Sequence, residues 1–141
     1  MNLRAIRPAD LGAEWERVRA GLLEVKKATP DDWLPEDIYM ALRQGQAVLY
    51  VAEDGGAYLG FVVLRLVQAF HASEMHIWCA HSATRRPLMR LVLPQLQAIA
   101  RQAGAARLTF SSARPEWAAA ATRLGFKPAQ VSYSLSLSEA S

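Results

Sequence analysis

The chain has 141 residues, 52% of them hydrophobic, and a mean hydropathy of +0.03, which fits a single globular domain over residues 1–141. No apolar run approaches the roughly 20 residues of a membrane-spanning helix, and residues 1–10 lack an apolar signal segment. We therefore expect a cytoplasmic, non-secreted protein without a membrane partner. A formal net charge of +3 is too small to indicate nucleic-acid binding.

The first half of the chain predicts a strand, two helices and a hairpin. A strand over residues 3–7 stops before Pro8. An apolar helix face follows, spaced by three or four residues, while charged side chains such as Glu14 fall on the opposite face. A second, short helix is predicted over Pro35–Arg43. Two strands, over residues 47–53 and 58–70, flank the turn Asp54-Gly55-Gly56, whose glycines suit the positive φ of a tight hairpin.

The second half predicts alternating strands and helices. A strand over 74–80 leads into a basic loop over 81–86, and residues 87–103 carry an apolar stripe at helical spacing. A short strand over 107–111 and a helix ending at Gly125 follow. The last segment alternates apolar residues with serines, the most regular strand pattern in the chain: Val131, Tyr133, Leu135 and Leu137. The order β-α-α-β-β-β-α-β-α-β predicts an α/β (α+β) fold, with a mixed central sheet covered by helices on both faces.

This order, together with four short motifs, resembles the GNAT superfamily of N-acetyltransferases. The motifs are Ile6-Arg7-Pro8-Ala9-Asp10, Leu59-Gly60-Phe61, Gly104 and Leu124-Gly125-Phe126. The general character of the chain also resembles small phage-encoded GNAT-like proteins. The resemblance implies that acetyl-CoA would insert where two neighbouring strands separate. Its pyrophosphate would then lie at the N-terminus of the long helix, where backbone N–H groups are unpaired.

The loop that would hold the pyrophosphate departs from the family pattern, Q/R-x-x-G-x-G/A. Its two glycine positions are occupied by Pro87 and Met89 in one alignment, and by Leu88 and Arg90 in the other. Pro87 also lacks an N–H donor. The tyrosine that often serves the family as general acid, four residues before the final glycine, is replaced by Ala121. The sequence thus predicts the architecture of a cofactor site with a degenerate acetyl-CoA loop.

Two other residues are candidates for catalysis. Glu74 begins the strand on which GNAT enzymes sometimes keep a general base, and the Tyr133 hydroxyl could act as an acid from the last strand. The structural alternatives are a surface carboxylate at Glu74 and core packing of Tyr133. If the cleft between the strands is open, the candidate cofactor-binding residues are Cys79, Ala80, Arg85 and Arg86. A solvated or partner-facing basic loop is the alternative for the two arginines.

The single cysteine and the histidines indicate structural roles. Cys79 lies within an apolar strand pattern, which predicts a buried free thiol without a disulfide. The three histidines, His71, His76 and His81, are five residues apart, and no cysteine or carboxylate completes a ligand spacing. We therefore predict no metal site and interpret the histidines as structural.

Two functions from different classes fit these observations. The missing glycines and tyrosine favour a GNAT-fold protein without acyl transfer and without a cofactor, acting as a binding or structural component. Such a component could belong to a phage particle or phage–host complex, and would then be virion-associated. The alternative is a divergent acetyl-CoA-dependent N-acyltransferase. An open gap between the strands ending near Ala80 and starting near Arg107 would favour the enzyme, whereas a gap filled by Met89 or Trp78 would favour the structural role.

The segment between the two N-terminal helices suggests a protein interface. Trp33, preceded by Asp32, lies where burial in the core is least assured. Aromatic side chains are common anchors of interfaces. The sequence therefore predicts contact with a protein partner or a second copy of the chain at these two residues.

Overall fold

The computed structural model describes residues 1–29 and 31–138. Its elements, in chain order, are β1 (Asn2–Ile6), a 3-10 turn (Pro8–Asp10), α1 (Leu11–Ala28), α2 (Pro35–Arg43), β2 (Val48–Asp54), β3 (Ala57–Gln68), β4 (Ser73–Ser82), α3 (Leu88–Gln102), β5 (Arg107–Thr109) and α4 (Trp117–Leu124). The predicted mixed α+β class is confirmed, and each predicted element up to residue 124 is found within a few residues of its predicted bounds. In the described residues, no helix is both long and apolar enough to cross a membrane.

The five strands form one mixed sheet in the order β1-β2-β3-β4-β5. The first four strands pair with their neighbours in antiparallel fashion, whereas β5 runs parallel to β4. The β2–β3 hairpin turns at Gly55 and Gly56, whose φ angles of 57° and 85° explain the need for glycine.

Helices cover both faces of the sheet, as the element order predicts. On one face, side chains of α1 and α2 pack on β2 and β3 in a first core cluster that includes Val18, Leu22, Ile38, Leu49 and Phe61. On the other face, α3 packs on β3 and β4 in a second core cluster that includes Val62, Leu64, Ile77, Val92 and Leu96. The sheet is therefore the common wall of two cores, and its edges are the places where a ligand or a partner strand can reach the backbone.

The predicted last strand is absent, and this is a correction to the element order. Residues 127–137, the C-terminal arm, pair with no strand in the described part of the chain. The arm leaves its large apolar side chains in solvent: Val131 is 69% exposed, Tyr133 91%, Leu135 86% and Leu137 91%. Core packing of Tyr133 is therefore wrong for this structure. The physical reason is that alternation describes only the faces of a strand, while a strand forms only when a partner supplies backbone hydrogen bonds.

Glu14 is buried, although the helical pattern assigns it to the polar face of α1. Its side chain accepts hydrogen bonds from Arg4 Nη2 at 2.8 Å and Arg17 Nε at 2.9 Å, and the residue is only 8% exposed. Burial raises the pKa of this carboxyl, but the hydrogen bonds from the two guanidinium groups outweigh burial, and the pKa is lowered from its usual 4.5. The ionised carboxylate thus ties β1 to α1.

Glu14→Gln should therefore destabilise the domain in a pH-dependent way. Because the folded pKa is lowered, the stabilisation by ionised Glu14 is complete above pH 4.5 and is lost as the pH falls through the folded pKa. We expect Glu14→Gln to reduce the free energy of unfolding by about 1–3 kcal/mol at neutral pH, the usual value of hydrogen bonds to a charged group. Urea denaturation at pH 7 and pH 3.5 measures the effect, and an equal difference at both pH values would contradict it.

Candidate cofactor and acceptor site

The parallel pairing of β4 with β5 covers only three residues of each strand. Their register joins Glu74 to Arg107, Met75 to Leu108 and His76 to Thr109. Beyond His76, β4 continues to Ser82, and none of the described residues forms a strand against that edge. β5 ends at Thr109, so the pair His76–Thr109 is the last of this pairing. We call this pair the apex and the unpaired edge of β4 beyond it the gap; it lies where the sequence predicts the cofactor cleft.

A β-bulge in β4 lies just beyond this apex. Val63 of β3 pairs with Cys79 while its neighbour Leu64 pairs with Ile77, so Trp78 is the extra residue of β4. As a result, both Trp78 and Cys79 face the first core cluster, whereas Ile77 faces the second. Bulges bend a strand and increase its local twist. The bulge lies in the part of β4 that β5 does not pair.

At the apex, a histidine links the two strands. His76 Nδ1 lies 3.0 Å from Thr109 Oγ1, and Nε2 has no hydrogen-bond partner within residues 1–29 and 31–138. Burial lowers the pKa of His76 below its usual 6.5, and the nearby Arg65 lowers it further. In the tautomer whose Nδ1–H donates to Thr109 Oγ1, Nε2 of the neutral imidazole is free to accept a proton. The sequence indicates only a structural role for His76. The contact with Thr109 is not visible in the sequence, because it depends on how β4 and β5 pair.

The two predicted catalytic residues, Glu74 and Tyr133, lie in different parts of the structure. Glu74 lies two residues before the apex and shares the His76 face of β4, and its Oε1 is 3.3 Å from Arg107 Nε. That carboxylate thus forms an ion pair across β4 and β5 close to the gap. Tyr133 lies in the C-terminal arm, exposed and outside the sheet. The structure therefore brings Glu74, and not Tyr133, into the neighbourhood of His76.

The loop between β4 and α3 is held by side chains in place of glycines. Ser82 Oγ donates toward the carbonyl oxygens of Thr84 at 2.8 Å and Arg86 at 3.0 Å. The backbone N–H of Arg86 donates to Thr84 Oγ1 at 3.2 Å. Pro87 then precedes α3, and Leu91 N–H donates to its carbonyl at 3.1 Å. The N–H groups of residues 88–90 are the first of the helix and have no acceptor within it.

The three arginines near the start of α3 differ in whether they already form an ion pair. Arg86 Nη1 donates to Asp54 Oδ2 at 2.7 Å, so this predicted cofactor-binding residue is already engaged. Arg85 and Arg90 are exposed, and neither forms an ion pair with any described residue. Arg90 lies in the first turn of α3, and the sequence indicates it only as the residue at a glycine position of the family pattern. Two free guanidinium groups therefore lie beside the start of α3.

Residues 79 and 80 lie along β4 beyond the bulge. Cys79 is a buried free thiol, as predicted, and burial raises its pKa to about 12, with a further increase from Asp31. The thiol is therefore protonated and cannot serve as a nucleophile at neutral pH. Ala80 packs toward the second core cluster. Cys79 and Ala80 can therefore offer a ligand in the gap their backbone N–H and C=O groups, but no reactive side chain.

The two side chains that could have filled the gap are engaged in the cores. Met89 packs against the second core cluster, and Trp78 packs against the first, with the Arg65 guanidinium 4.5 Å above its ring.

A cavity of about 520 Å³ lies away from the gap, and its lining includes Val48, Leu66 and Ile99. In the described residues, no group of three or more His, Cys, Asp or Glu side chains is placed to hold a metal ion.

The α1–α2 segment is anchored by a lysine. Lys26 Nζ donates to the carbonyl oxygens of Trp33 at 2.6 Å and Asp31 at 3.1 Å. The Trp33 ring is half-buried against the first core cluster, while Asp32 is exposed. An interface role for these two residues stays a prediction.

Comparison with known proteins agrees with this architecture. A sequence model of the acetyltransferase (GNAT) family matches residues 14–126. The chain is similar to the crystal structure of a probable acetyltransferase, with 18% identity over 99% of this chain and 100% of that chain and a TM-score of 0.73. A search of curated proteins found no match.

Two further solved structures have names that are more specific. A ribosomal-protein-alanine N-acetyltransferase from Brucella melitensis biovar Abortus 2308 has 13% identity over 97% of this chain and 100% of that chain, with a TM-score of 0.72. A predicted acetyltransferase with acetyl-CoA from Clostridium acetobutylicum has 13% identity over 96% of each chain, with a TM-score of 0.69. At these identities the likeness concerns the fold.

Proposed function

Because the chain belongs to the acetyltransferase (GNAT) family, we propose that it is an acetyl-CoA-dependent N-acetyltransferase. The observation that supports the proposal is the end of the β4–β5 pairing at His76–Thr109, which leaves the rest of β4 unpaired on that side, directly before the N-terminus of α3. The relatives are named acetyltransferases, which supports this enzymatic alternative over the structural role that the missing glycines favoured.

The residues around the gap fit the cofactor in charge and hydrogen bonding. The first N–H groups of α3 and the side chains of Arg85 and Arg90 are suited to its phosphates, since helix N-termini and guanidinium forks both bind anions. The unpaired edge of β4, residues 79–82, offers backbone groups to the pantetheine arm. When bound, acetyl-CoA supplies the activated acetyl group. The side chains of Arg85 and Arg90 compensate for the backbone N–H group that Pro87 lacks.

His76 is the proposed proton acceptor for the incoming amine. Its free Nε2, its lowered pKa and its location at the apex support this role. The Thr109 hydroxyl holds Nδ1 and so orients the ring. Glu74 is paired with Arg107, and we assign it a role in fixing the two strands at the apex rather than in proton transfer.

Isothermal titration with acetyl-CoA tests the proposed function. We expect a dissociation constant in the range of about 1–100 μM, equivalent to roughly 5.5–8 kcal/mol of binding free energy. Arg90→Glu should weaken binding by about tenfold or more, because it replaces an attraction to phosphate with a repulsion at the start of α3.

Arg101→Glu is the matched control for this titration. Arg101 is exposed in the last turn of the same helix and undergoes the same change of charge. It should alter the affinity by less than about twofold, since interactions between exposed charges are screened over roughly 10 Å in salt. Absence of binding at millimolar acetyl-CoA would reject the enzyme and leave the binding or structural role.

A further inference from the structure

Arg65 lies beside the proposed proton acceptor and has no ion pair of its own. It is directly opposite His76 in the pairing of β3 with β4. Residues opposite each other in an antiparallel pair point to the same face of the sheet, with their Cβ atoms about 5 Å apart. Arg65 is exposed, and its guanidinium forms no hydrogen bond or ion pair with residues 1–29 or 31–138. Its N–H donors are therefore available next to the apex.

The indole of Trp78 holds this guanidinium in place. Trp78 faces the first core cluster, on the same side of the sheet, and Arg65 Cζ lies 4.5 Å from the centre of its ring. The face of an aromatic ring attracts a cation at this distance. A stacked guanidinium presents its N–H groups in a fixed plane, so less side-chain freedom is lost when they bind both oxygens of a carboxylate.

The charges around the apex leave Arg65 uncompensated. Glu74 and Arg107 form an ion pair with each other, with 3.3 Å between Oε1 and Nε. Burial is the main cause of the lowered pKa of His76, and the charge of Arg65 is the next. An amine that approaches His76 is a cation before it loses its proton, and Arg65 repels that cation unless the acceptor also brings a negative charge.

The phosphates of the cofactor are too far away to supply this negative charge. Their proposed contacts lie at the start of α3, which follows the end of β4 at Ser82. Ser82 is six positions after His76 in the same strand, and at about 3.3 Å per residue the two are about 20 Å apart. A partner for Arg65 must therefore come from the acceptor.

We infer that Arg65 binds a carboxylate of the acceptor, and that the acceptors are amines that carry a carboxylate, the class to which free amino acids belong. This inference rests on the proposed function, because it concerns the acceptor side of the same apex. The carboxylate lies on the Arg65 guanidinium beside Trp78, which directs the amine to His76. His76 Nε2 takes the proton of the amine as its nitrogen bonds to the acetyl carbon, and the electron pair of the broken C–S bond goes to sulfur.

Matched pairs of acceptors test the inference, each pair an α- or β-amino acid and its own amide. Transfer from acetyl-CoA is followed through the released thiol. Arg65→Gln should lower kcat/KM for the acids by about tenfold or more and for the amides by less than about twofold, because only the acids lose a charged hydrogen-bonding partner. Comparing variant with wild type cancels the different basicity of the two amines. Arg65→Lys keeps the charge without the planar fork and should recover only part of the loss.

Arg101→Gln is the matched control for the loss of charge. Arg101 is exposed in the last turn of α3, and its replacement should change kcat/KM for either acceptor by less than about twofold, since exposed charges are screened over roughly 10 Å in salt. The affinity for acetyl-CoA should change by less than about threefold in Arg65→Gln, which also shows that the variant is folded.

A second measurement does not depend on turnover. Titration of the full chain with the N-acetyl amino acid, the expected product, should shift the NMR signal of the Trp78 indole N–H, which Trp78→Phe identifies. The shift should be absent with the N-acetyl amide and in Arg65→Gln.

Three results would overturn the acceptor class and leave the proposed acetyltransferase standing, provided that the chain binds acetyl-CoA. They are an equal loss for acids and amides in Arg65→Gln, no loss for either, and no transfer to any amine that carries a carboxylate. Absence of acetyl-CoA binding would instead reject the proposed function, and this inference with it.

Discussion

Gly60→Ala is expected to lower the free energy of unfolding by about 3 kcal/mol or more, enough to unfold a marginal domain. Gly60 lies in β3 opposite Ser82, at the end of β4, with φ at +145°. A Cβ atom at this position would lie 2.0 Å from the His81 carbonyl oxygen and 3.1 Å from Leu88 Cδ2. The first of these atoms is backbone in a paired strand, so it cannot move aside without breaking the β3–β4 pairing.

Gly12→Ala is the control for this effect. Gly12 lies in α1, and no atom lies within 4 Å of a Cβ built on it. Alanine should therefore be neutral or stabilise the domain by up to about 1 kcal/mol through its better helix propensity. Urea denaturation followed by circular dichroism measures both variants. A Gly60→Ala domain within about 1 kcal/mol of the wild type would show that the end of β4 is not rigid. It would also remove the structural basis for a shaped gap beside α3.

His76→Gln should lower kcat by about 100-fold or more, the usual contribution of a general base. Glutamine retains hydrogen bonding to Thr109 but cannot accept a proton near neutral pH. Transfer from acetyl-CoA to a panel of peptide and small primary amines, followed through the released thiol, measures the rate. The affinity for acetyl-CoA should change by less than about threefold, because the proposed phosphate contacts lie at the start of α3.

The pH dependence of this reaction separates a chemical role from a structural one. The neutral form of His76 is the active form, so kcat/KM should fall on the acid side with a midpoint below 6.5, the usual pKa of histidine. That acid limb should disappear in His76→Gln. His71→Gln is the control, since His71 is exposed beyond the end of β3 and away from the gap. Unchanged kcat and an unchanged pH profile in His76→Gln would reject His76 as the base.

Local patterns in the sequence predict most of the fold. The three-and-four spacing of apolar residues identifies α1 and α3, and the Gly55-Gly56 pair identifies the β2–β3 hairpin. These patterns involve residues that are close together in the sequence, and the packing of the folded domain favours the same helices and turn. The buried thiol of Cys79 follows in the same way from its place in an apolar strand. The pattern over 131–137 fails as a prediction of a strand because a strand also requires a partner, and these residues pair with none in the described part of the chain.

The candidate site is less predictable, because its chemistry depends on contacts between distant segments. The sequence by itself determines that the loop before α3 lacks glycine and that Pro87 removes a donor. The tertiary structure alone decides that Arg86 donates to Asp54, while Arg85 and Arg90 form no ion pair with any residue of 1–29 or 31–138. Likewise, the Trp78 bulge and the His76–Thr109 contact follow from the pairing of β4 with β3 and β5. The His76–Thr109 contact joins residues 33 positions apart in the chain, so no local pattern specifies it. The bulge at Trp78 changes the register within β4, and the pattern of side chains around it does not show this.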